Sequence, residues 1–270
     1  MFVDYFNIDN ARNYCYHSRD SSSKRVGIMQ KRLSPSSMNT FKTCPAQYNY
    51  HYIERAPGIY VPRHHMDLGQ YVHDAIQDYF DGASKKPTKS LEITQRIDSS
   101  FDKIIGNKFV GQPEMMKKLR SCLKNFKEFE IYRARKWKTY EPTFIEKNLQ
   151  DDDFRGIVDF YSEPEATVID WKTGYKQNLN DNDTMQAEVY RYLLEKQGYA
   201  VKRVFFVVLT NGTVLQAQLQ KDGWVLEQQK QILDSIAAKN FPARPNRYCF
   251  NCVYQIACEF SDTNLWDDYL

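Results

Sequence analysis

The stretch "RGIVDFYSEPEATVIDWKTG", residues 155–174, leaves the chain little freedom. Two apolar runs, 154–161 and 166–172, flank a short polar turn at 162–165, which predicts an antiparallel hairpin. Side chains alternate along an extended strand. Val168, Asp170 and Lys172 then share one face, and Ile169 and Trp171 take the other. With Tyr161 opposite Ala166, Asp159 lies opposite Val168 and diagonal to Asp170, ~7–8 Å away at the backbone. The turn must hold an even number of residues, because an odd one sends the two acids to opposite faces unless a bulge intervenes.

An unpaired buried charge is costly, so this face needs compensation. Two carboxylates and a lysine on one surface suit Mg²⁺ or Mn²⁺ with a reactive water: the ion offsets the carboxylate charge and polarises a phosphoryl oxygen. Lys172 can orient or deprotonate the attacking water and steady charge on the phosphorane. The plainer alternative is an Asp–Lys ion pair on a half-exposed strand. The spacing of eleven residues between Asp159, in "GIVD", and Asp170, in "DWK", argues against it.

The 270 residues allow one large domain, or one domain with an appended helical part. A net charge of +3 says little about partners, so local clusters must decide. No uncharged apolar run approaches the ~20 residues of a membrane helix, and no membrane partner is expected. The start, "MFVDYFNIDN", has an acid at position 4 and no basic stretch, unlike a secretory signal. A cytoplasmic protein is expected, where six cysteines suggest metal binding before disulfides.

Residues 1–32 lack a clear period and read as a weakly structured extension, with a single domain over 33–270. Ser34 can cap a helix that has Pro35 at its first position, and Pro45 marks a break or a restart. Helices are expected at 66–80, 91–105 and 114–138, then strands at 142–150, 154–161 and 166–172. A helix at 184–197, strands at 201–210 and 213–219 joined across Asn211-Gly212, and a helix at 223–239 follow. The pattern is a mixed α/β core with helical decoration.

Other candidates flank the hairpin. "LGQYVHDAI" puts Gly69 and His73 on one helical stripe, where His73 is either a metal ligand or a core histidine. Gly69 would let another backbone or a metal approach. "QAEVYRYL" aligns Gln186 and Tyr190 at i, i+4, and "FIEKNLQ" places Glu146 on the preceding strand.

In order, G-x-x-x-H (Gly69–His73), h-E (Glu146), G-h-h-D (Gly156–Asp159), D-h-K (Asp170–Lys172) and Q-x-x-x-Y (Gln186–Tyr190) resemble the RecB-like branch of the PD-(D/E)XK nuclease superfamily. The resemblance covers residues 33–260. It implies a restriction-endonuclease-like mixed sheet. It implies that His73, Asp159, Asp170 and the Trp171 carbonyl bind Mg²⁺ or Mn²⁺. Lys172 would be the catalytic lysine, Gln186 and Tyr190 DNA-proximal active-site residues, and Glu146 a supporting catalytic one.

The tail "CFNCVYQIAC" spaces Cys249, Cys252 and Cys258 as C-x₂-C-x₅-C, and Cys44 lies 205 residues before it. Three clustered thiols lack a fourth ligand, which Cys44 could supply. Structural Zn²⁺ and a [4Fe–4S] cluster both accept four cysteines, and spacing does not choose between them. "F-x-x-C-P-x-x-Y-x-Y" with this tail is similar to the iron–sulfur staple of AddB nuclease domains and CRISPR-associated RecB-like exonucleases. That resemblance implies [4Fe–4S] on Cys44, Cys249, Cys252 and Cys258, joining residues 33–60 to 240–260. Cys15 and Cys122 read as buried reduced thiols.

Residues 113–138 hold nine Lys/Arg against three acids, interleaved with Phe126, Phe129, Tyr132 and Trp137. Phosphate neutralisation plus stacking would suit single-stranded DNA, with Lys117, Lys118, Arg120 and Lys124 as contacts. The alternative is a solvated helix whose aromatics pack inward. No Walker A motif occurs. The expected function is a metal-dependent DNA nuclease, an exonuclease on single strands or strand ends, in recombination, repair or replication, with a phage among the candidate sources. Two rivals stand beside it: a CRISPR-associated exonuclease processing DNA for spacer acquisition, and a non-catalytic metal-stapled DNA-binding module.

Overall fold

The computed structural model describes residues 32–59, 64–81, 89–137 and 139–260. The expected extension, apart from Arg32, lies outside the described residues, and so does Cys15. Five strands, β1 (Phe144–Gln150), β2 (Arg155–Ser162), β3 (Thr167–Lys172), β4 (Arg203–Val208) and β5 (Thr213–Gln216), form one sheet in chain order. Neighbours are antiparallel except β3 and β4, which are parallel. A parallel pair needs a crossover, and the helix α6 (Asp181–Lys196) supplies it. A capping box of Asn180 and Asp183 starts α6.

Helices cover both faces. Three precede α6 on one side: α3 (His64–Asp81), α4 (Ser90–Ile104) and α5 (Pro113–Lys136) pack on Ile169, Trp171 and Val207. On the other side α1 (Pro35–Thr43), α6 and α7 (Trp224–Ala237) pack on Val168, Val204 and Phe206. Residues of β3 and β4 thus enter cores on both faces, which accounts for the near-continuous apolar runs "VIDW" and "VFFVV". Trp171 meets Phe126 and Phe129 edge to face at 5.3 and 5.5 Å, contacts each worth about 0.5–1.5 kcal/mol beyond area burial. The short α2 (Pro45–Tyr48) restarts at Pro45 and runs into a π-helical turn, Asn49–Ile53. Among the described residues no helix is long and apolar enough to cross a membrane.

Two details depart from the sequence reading. Tyr161 pairs with Val168 and Ser162 with Thr167, so the turn is 163–166 rather than 162–165. Ala166 takes a left-handed backbone (φ 46°) and belongs to the turn. The turn still holds four residues, but Val168 pairs with Tyr161 rather than lying opposite Asp159, and the paired register ends at Phe160 with Ile169, one residue short of the two acids. In the second hairpin Val208 pairs with Thr213, leaving a four-residue loop, 209–212, instead of a two-residue turn at Asn211-Gly212. Asn125 Nδ2 donates to the Leu209 carbonyl at 2.7 Å and packs against Gly212, where the backbone is left-handed.

Candidate active site and a cysteine pocket

Three neighbouring strands carry one acid each: Glu146 on β1, Asp159 on β2 and Asp170 on β3. The β1–β2 register runs through Ile145–Phe160 and Lys147–Val158 without slipping, with Glu146 between them in a left-handed conformation (φ 45°). Such a backbone costs of order 1–3 kcal/mol in a residue with a side chain. Beside it, β2 loses its alternation: Val158 and Phe160, two residues apart, enter opposite cores. At this break Glu146 Oε1 lies 2.9 Å from His73 Nδ1, and Asp159 Oδ2 lies 3.6 Å from the same nitrogen. His73 Nε2 meets the Trp171 carbonyl at 3.0 Å, and the Trp171 amide donates to Asp159 Oδ2 at 2.8 Å.

The other half of the site surrounds Asp170. Lys172 Nζ is 2.7 Å from Asp170 Oδ2 and donates to Gln186 Oε1 at 2.7 Å. Gln186 Nε2 donates to Asp170 Oδ1 and lies within hydrogen-bonding distance of the Tyr190 hydroxyl, both at 2.7 Å. Tyr190 donates to Asp170 Oδ1 at 3.4 Å. Two glycines make room for this. A Cβ on Gly156 would stand 3.2 Å from Tyr190 Cε1, and one on Gly69 would stand 3.1 Å from Thr173 Oγ1. Gly69 therefore admits the loop after Lys172, one helical turn before His73.

Burial resists a charged imidazole at His73, but Asp159, the hydrogen bond and charge of Glu146, and Asp170 outweigh it and push the pKa up to about 9. Burial, then Asp170, raises Asp159 well above the usual carboxylate range. Burial, then the charges of Asp170 and Asp159, raises the Tyr190 phenol. Lys172 is also raised, since Asp170 overcomes the opposing effect of burial. These carboxylates crowd together in a low-dielectric place that a cation would relieve.

The donor set suits a divalent cation. One ligand atom each from His73, Glu146 and Asp159 lies within 4.8 Å of the others. Carboxylate oxygens with one imidazole fit Mn²⁺ and Mg²⁺. Asp170 Oδ2 is buried against the Lys172 ammonium, 2.7 Å away. Glu146, read from sequence as a supporting residue, is the member of this trio that spacing missed. Its place depends on the β1–β2 register and on a left-handed backbone that a glutamate does not announce. Asp170 lies outside the trio, and the Trp171 carbonyl accepts from His73.

Cys44, Cys249, Cys252 and Cys258 line one cavity, with Tyr50, Asn246 and Gln255. All four are free and partly exposed. The Asn246 amide donates to Cys249 Sγ at 3.3 Å. Burial raises the Cys252 thiol, and the other three cysteines add to the effect through their charge after a backbone hydrogen bond from Tyr254 partly opposes it. The two chain regions also meet directly: Arg244 Nη1 donates to the Lys42 carbonyl at 2.7 Å, Tyr50 to the Ala257 carbonyl at 2.9 Å and the Ile59 amide to the Val253 carbonyl at 2.7 Å. Cys122 is fully buried, and burial pushes its thiol up to about 11.

On α5, Lys117, Arg120 and Lys124 are exposed and Lys118 half-buried. The interleaved aromatics largely turn inward. Phe126 is buried, Phe129 packs on Trp171 and Trp137 on Phe160, leaving Tyr132 exposed. Arg133 is buried in an ion pair with Glu130, Lys127 pairs with Asp98, and Lys124 pairs with Glu128 at 3.9 Å. A row of stacking side chains along α5 is thus replaced by a basic outer face over an aromatic inner one.

The sequence profile of the PD-(D/E)XK nuclease superfamily matches residues 32–259, and the chain belongs to that superfamily. Nucleases of this superfamily use divalent metals, and the trio His73, Glu146 and Asp159 could bind one. No curated protein sequence matches the chain. The solved structure of SSO0001 aligns with a TM-score of 0.35 and 11% identity, over 73% of this chain and 98% of that one.

Proposed function

We propose that this single domain, residues 33–270, is a metal-dependent deoxyribonuclease of the RecB-like branch, an exonuclease acting on single-stranded DNA or strand ends. The observation that carries this reading is the group of three acids, with His73 against Glu146 and Asp159 and Lys172 against Asp170. His73, Glu146 and Asp159 would hold the cation. When bound, Mg²⁺ or Mn²⁺ offsets the carboxylate charge and polarises a phosphoryl oxygen. Lys172, kept charged by Asp170, donates to the phosphate and steadies the negative charge that builds as water adds to phosphorus. The bond from phosphorus to the leaving oxygen then breaks, and a proton ends on that oxygen. Gln186 and Tyr190 fix the Asp170 carboxylate and so the position of Lys172. The outer face of α5, with Lys117, Lys118, Arg120 and Lys124, attracts the phosphate backbone.

The cysteine pocket is read as a [4Fe–4S] site. The support is the cavity that Cys44, Cys249, Cys252 and Cys258 share, together with the resemblance of their motifs to an iron–sulfur staple, since a cubane takes four thiolates.

Incubating the protein with an end-labelled single strand tests the activity. Stepwise shortening with Mn²⁺ or Mg²⁺, and none with EDTA, is expected. Binding without shortening in either metal overturns the nuclease reading in favour of a DNA-binding module. Internal cuts overturn the exonuclease assignment alone.

A further inference from the structure

The loop between β3 and α6 leaves the site carrying an aromatic ring that the site's chemistry does not use. Tyr175 is 70% exposed, and three residues from Lys172 its Cα lies within about 11 Å of that lysine's. Exposed aromatics are common, and exposure alone means little. Here the supporting loop is pinned on both sides. At its start Thr173 packs against Gly69, one turn before His73 on α3. The Gly174 carbonyl accepts from Thr210 Oγ1 at 3.1 Å, and the Lys176 carbonyl from Asn211 Nδ2 at 2.8 Å. The Lys176 ammonium is tied to the buried carboxylate of Asp183, one turn before Gln186 on α6. Gln177 Nε2 donates to the Tyr175 hydroxyl at 2.6 Å, which restrains the ring by its edge and leaves it open to solvent.

We propose that Tyr175 is a substrate-positioning residue whose ring stacks on a nucleobase of the DNA strand beside the scissile phosphate. This rests on the nuclease reading above. A flat π-face accepts any base, so the contact adds affinity without sequence preference. The hydrogen bond from Gln177 restrains the ring, so less side-chain freedom is lost when a base lands on it.

The test is steady-state cleavage of an end-labelled strand with Mn²⁺ by wild type, Tyr175→Ala and Tyr175→Phe, repeated on a strand with base-free sugars near the labelled end. Tyr175→Ala should raise KM roughly tenfold with kcat within about twofold, and Tyr175→Phe should stay near wild type. On the base-free strand wild type and Tyr175→Ala should converge. An unchanged KM in Tyr175→Ala, a defect that persists on the base-free strand, or a Tyr175→Phe as impaired as the alanine variant each overturns the stacking role. If Tyr175→Ala misfolds, Tyr175→Leu against Tyr175→Trp makes the same comparison of an aliphatic with an aromatic side chain. A wild type that cuts beside an equally good Tyr175→Ala sinks this inference alone, whereas a wild type that neither binds nor cuts the strand sinks the nuclease reading with it.

Discussion

The acidic site and the cysteine pocket are both groups of ligand-type side chains, but they are built by different means. Glu146, Asp159 and Asp170 come from adjacent strands whose register is locked by cores on both faces of the sheet. Asp159 and Asp170 are 6% and 2% exposed and already hold protein partners. The cysteines stand at the junction of α1 and α2 (Cys44) and on or beside two 3₁₀ turns (Cys249, Cys252 and Cys258), all of them partly exposed. A site set by sheet register keeps its shape when empty, whereas a site made of turns borrows order from what it binds.

The largest effect expected from this contrast is on catalysis without the fold. Lys172→Ala should lower the cleavage rate by at least roughly 10²–10³-fold, the scale for losing a charge-stabilising donor, with its thermal midpoint near wild type. A wild-type rate with Mn²⁺ would remove Lys172 from the active site. Asp170 needs a gentler change, Asp170→Asn, because it is buried and Lys172 depends on it.

The pocket should behave in the opposite way. Cys252→Ser should remove bound iron, about four atoms per chain in anaerobically purified protein, and lower Tm by on the order of 10 °C, with a smaller loss of kcat. Cys44→Ser should match it, and Cys122→Ser should leave the iron in place. Retained iron in Cys44→Ser would break the pairing of the two chain regions. One zinc and no iron would keep the pocket and change its occupant.

Protonation sharpens the comparison at a smaller scale. With the His73 pKa raised to about 9 from its ordinary 6.5, the metal-free fold gains stability from the imidazolium. That gain is complete below pH 6.5 and is lost as pH rises through 9. Metal-free wild type should therefore lose thermal stability relative to His73→Gln between these limits, while stabilisation by Mn²⁺ grows, because the ion must displace the proton. A difference between the two proteins that stays flat with pH would show that His73 is not charged in the fold. The smallest effect expected is from Gly156→Ala, whose Cβ would crowd Tyr190. Overpacking of this kind costs about 1–3 kcal/mol. It should slow cleavage severalfold through Asp170, and the added change Tyr190→Phe should not restore the rate.

Much of the acidic site was legible because alternation is local. "VIDWKTG" assigns a face to each residue, and Val168 on one side with Ile169 and Trp171 on the other is what the cores show. The register was misread by one step on each strand because Ala166 has a left-handed backbone, a conformation that an alanine does not signal. The contact of Glu146 with His73 was hidden in the same way, since Glu146 too has a left-handed backbone. The basic run 113–138 was visible, but which residues of α5 turn inward depends on Trp171 and Phe160, more than thirty residues downstream of Phe126. Four cysteines share a cavity as their spacing suggested. The π-helical turn beside Cys44 had no sequence mark.

The distance between Cys44 and Cys249 also sets an order of events in time. At ~5–20 residues per second, the ribosome makes the 205 residues separating them in sequence in roughly 10–40 s. During that interval the strands bearing Glu146, Asp159 and Asp170 emerge, and β4 and α7 after them, before the second side of the pocket exists. The sheet and its acids can therefore assemble while Cys44 still waits as a lone thiol. On the proposed reading of the cysteine pocket, its cluster is the last part to form, as a seal on a fold already made.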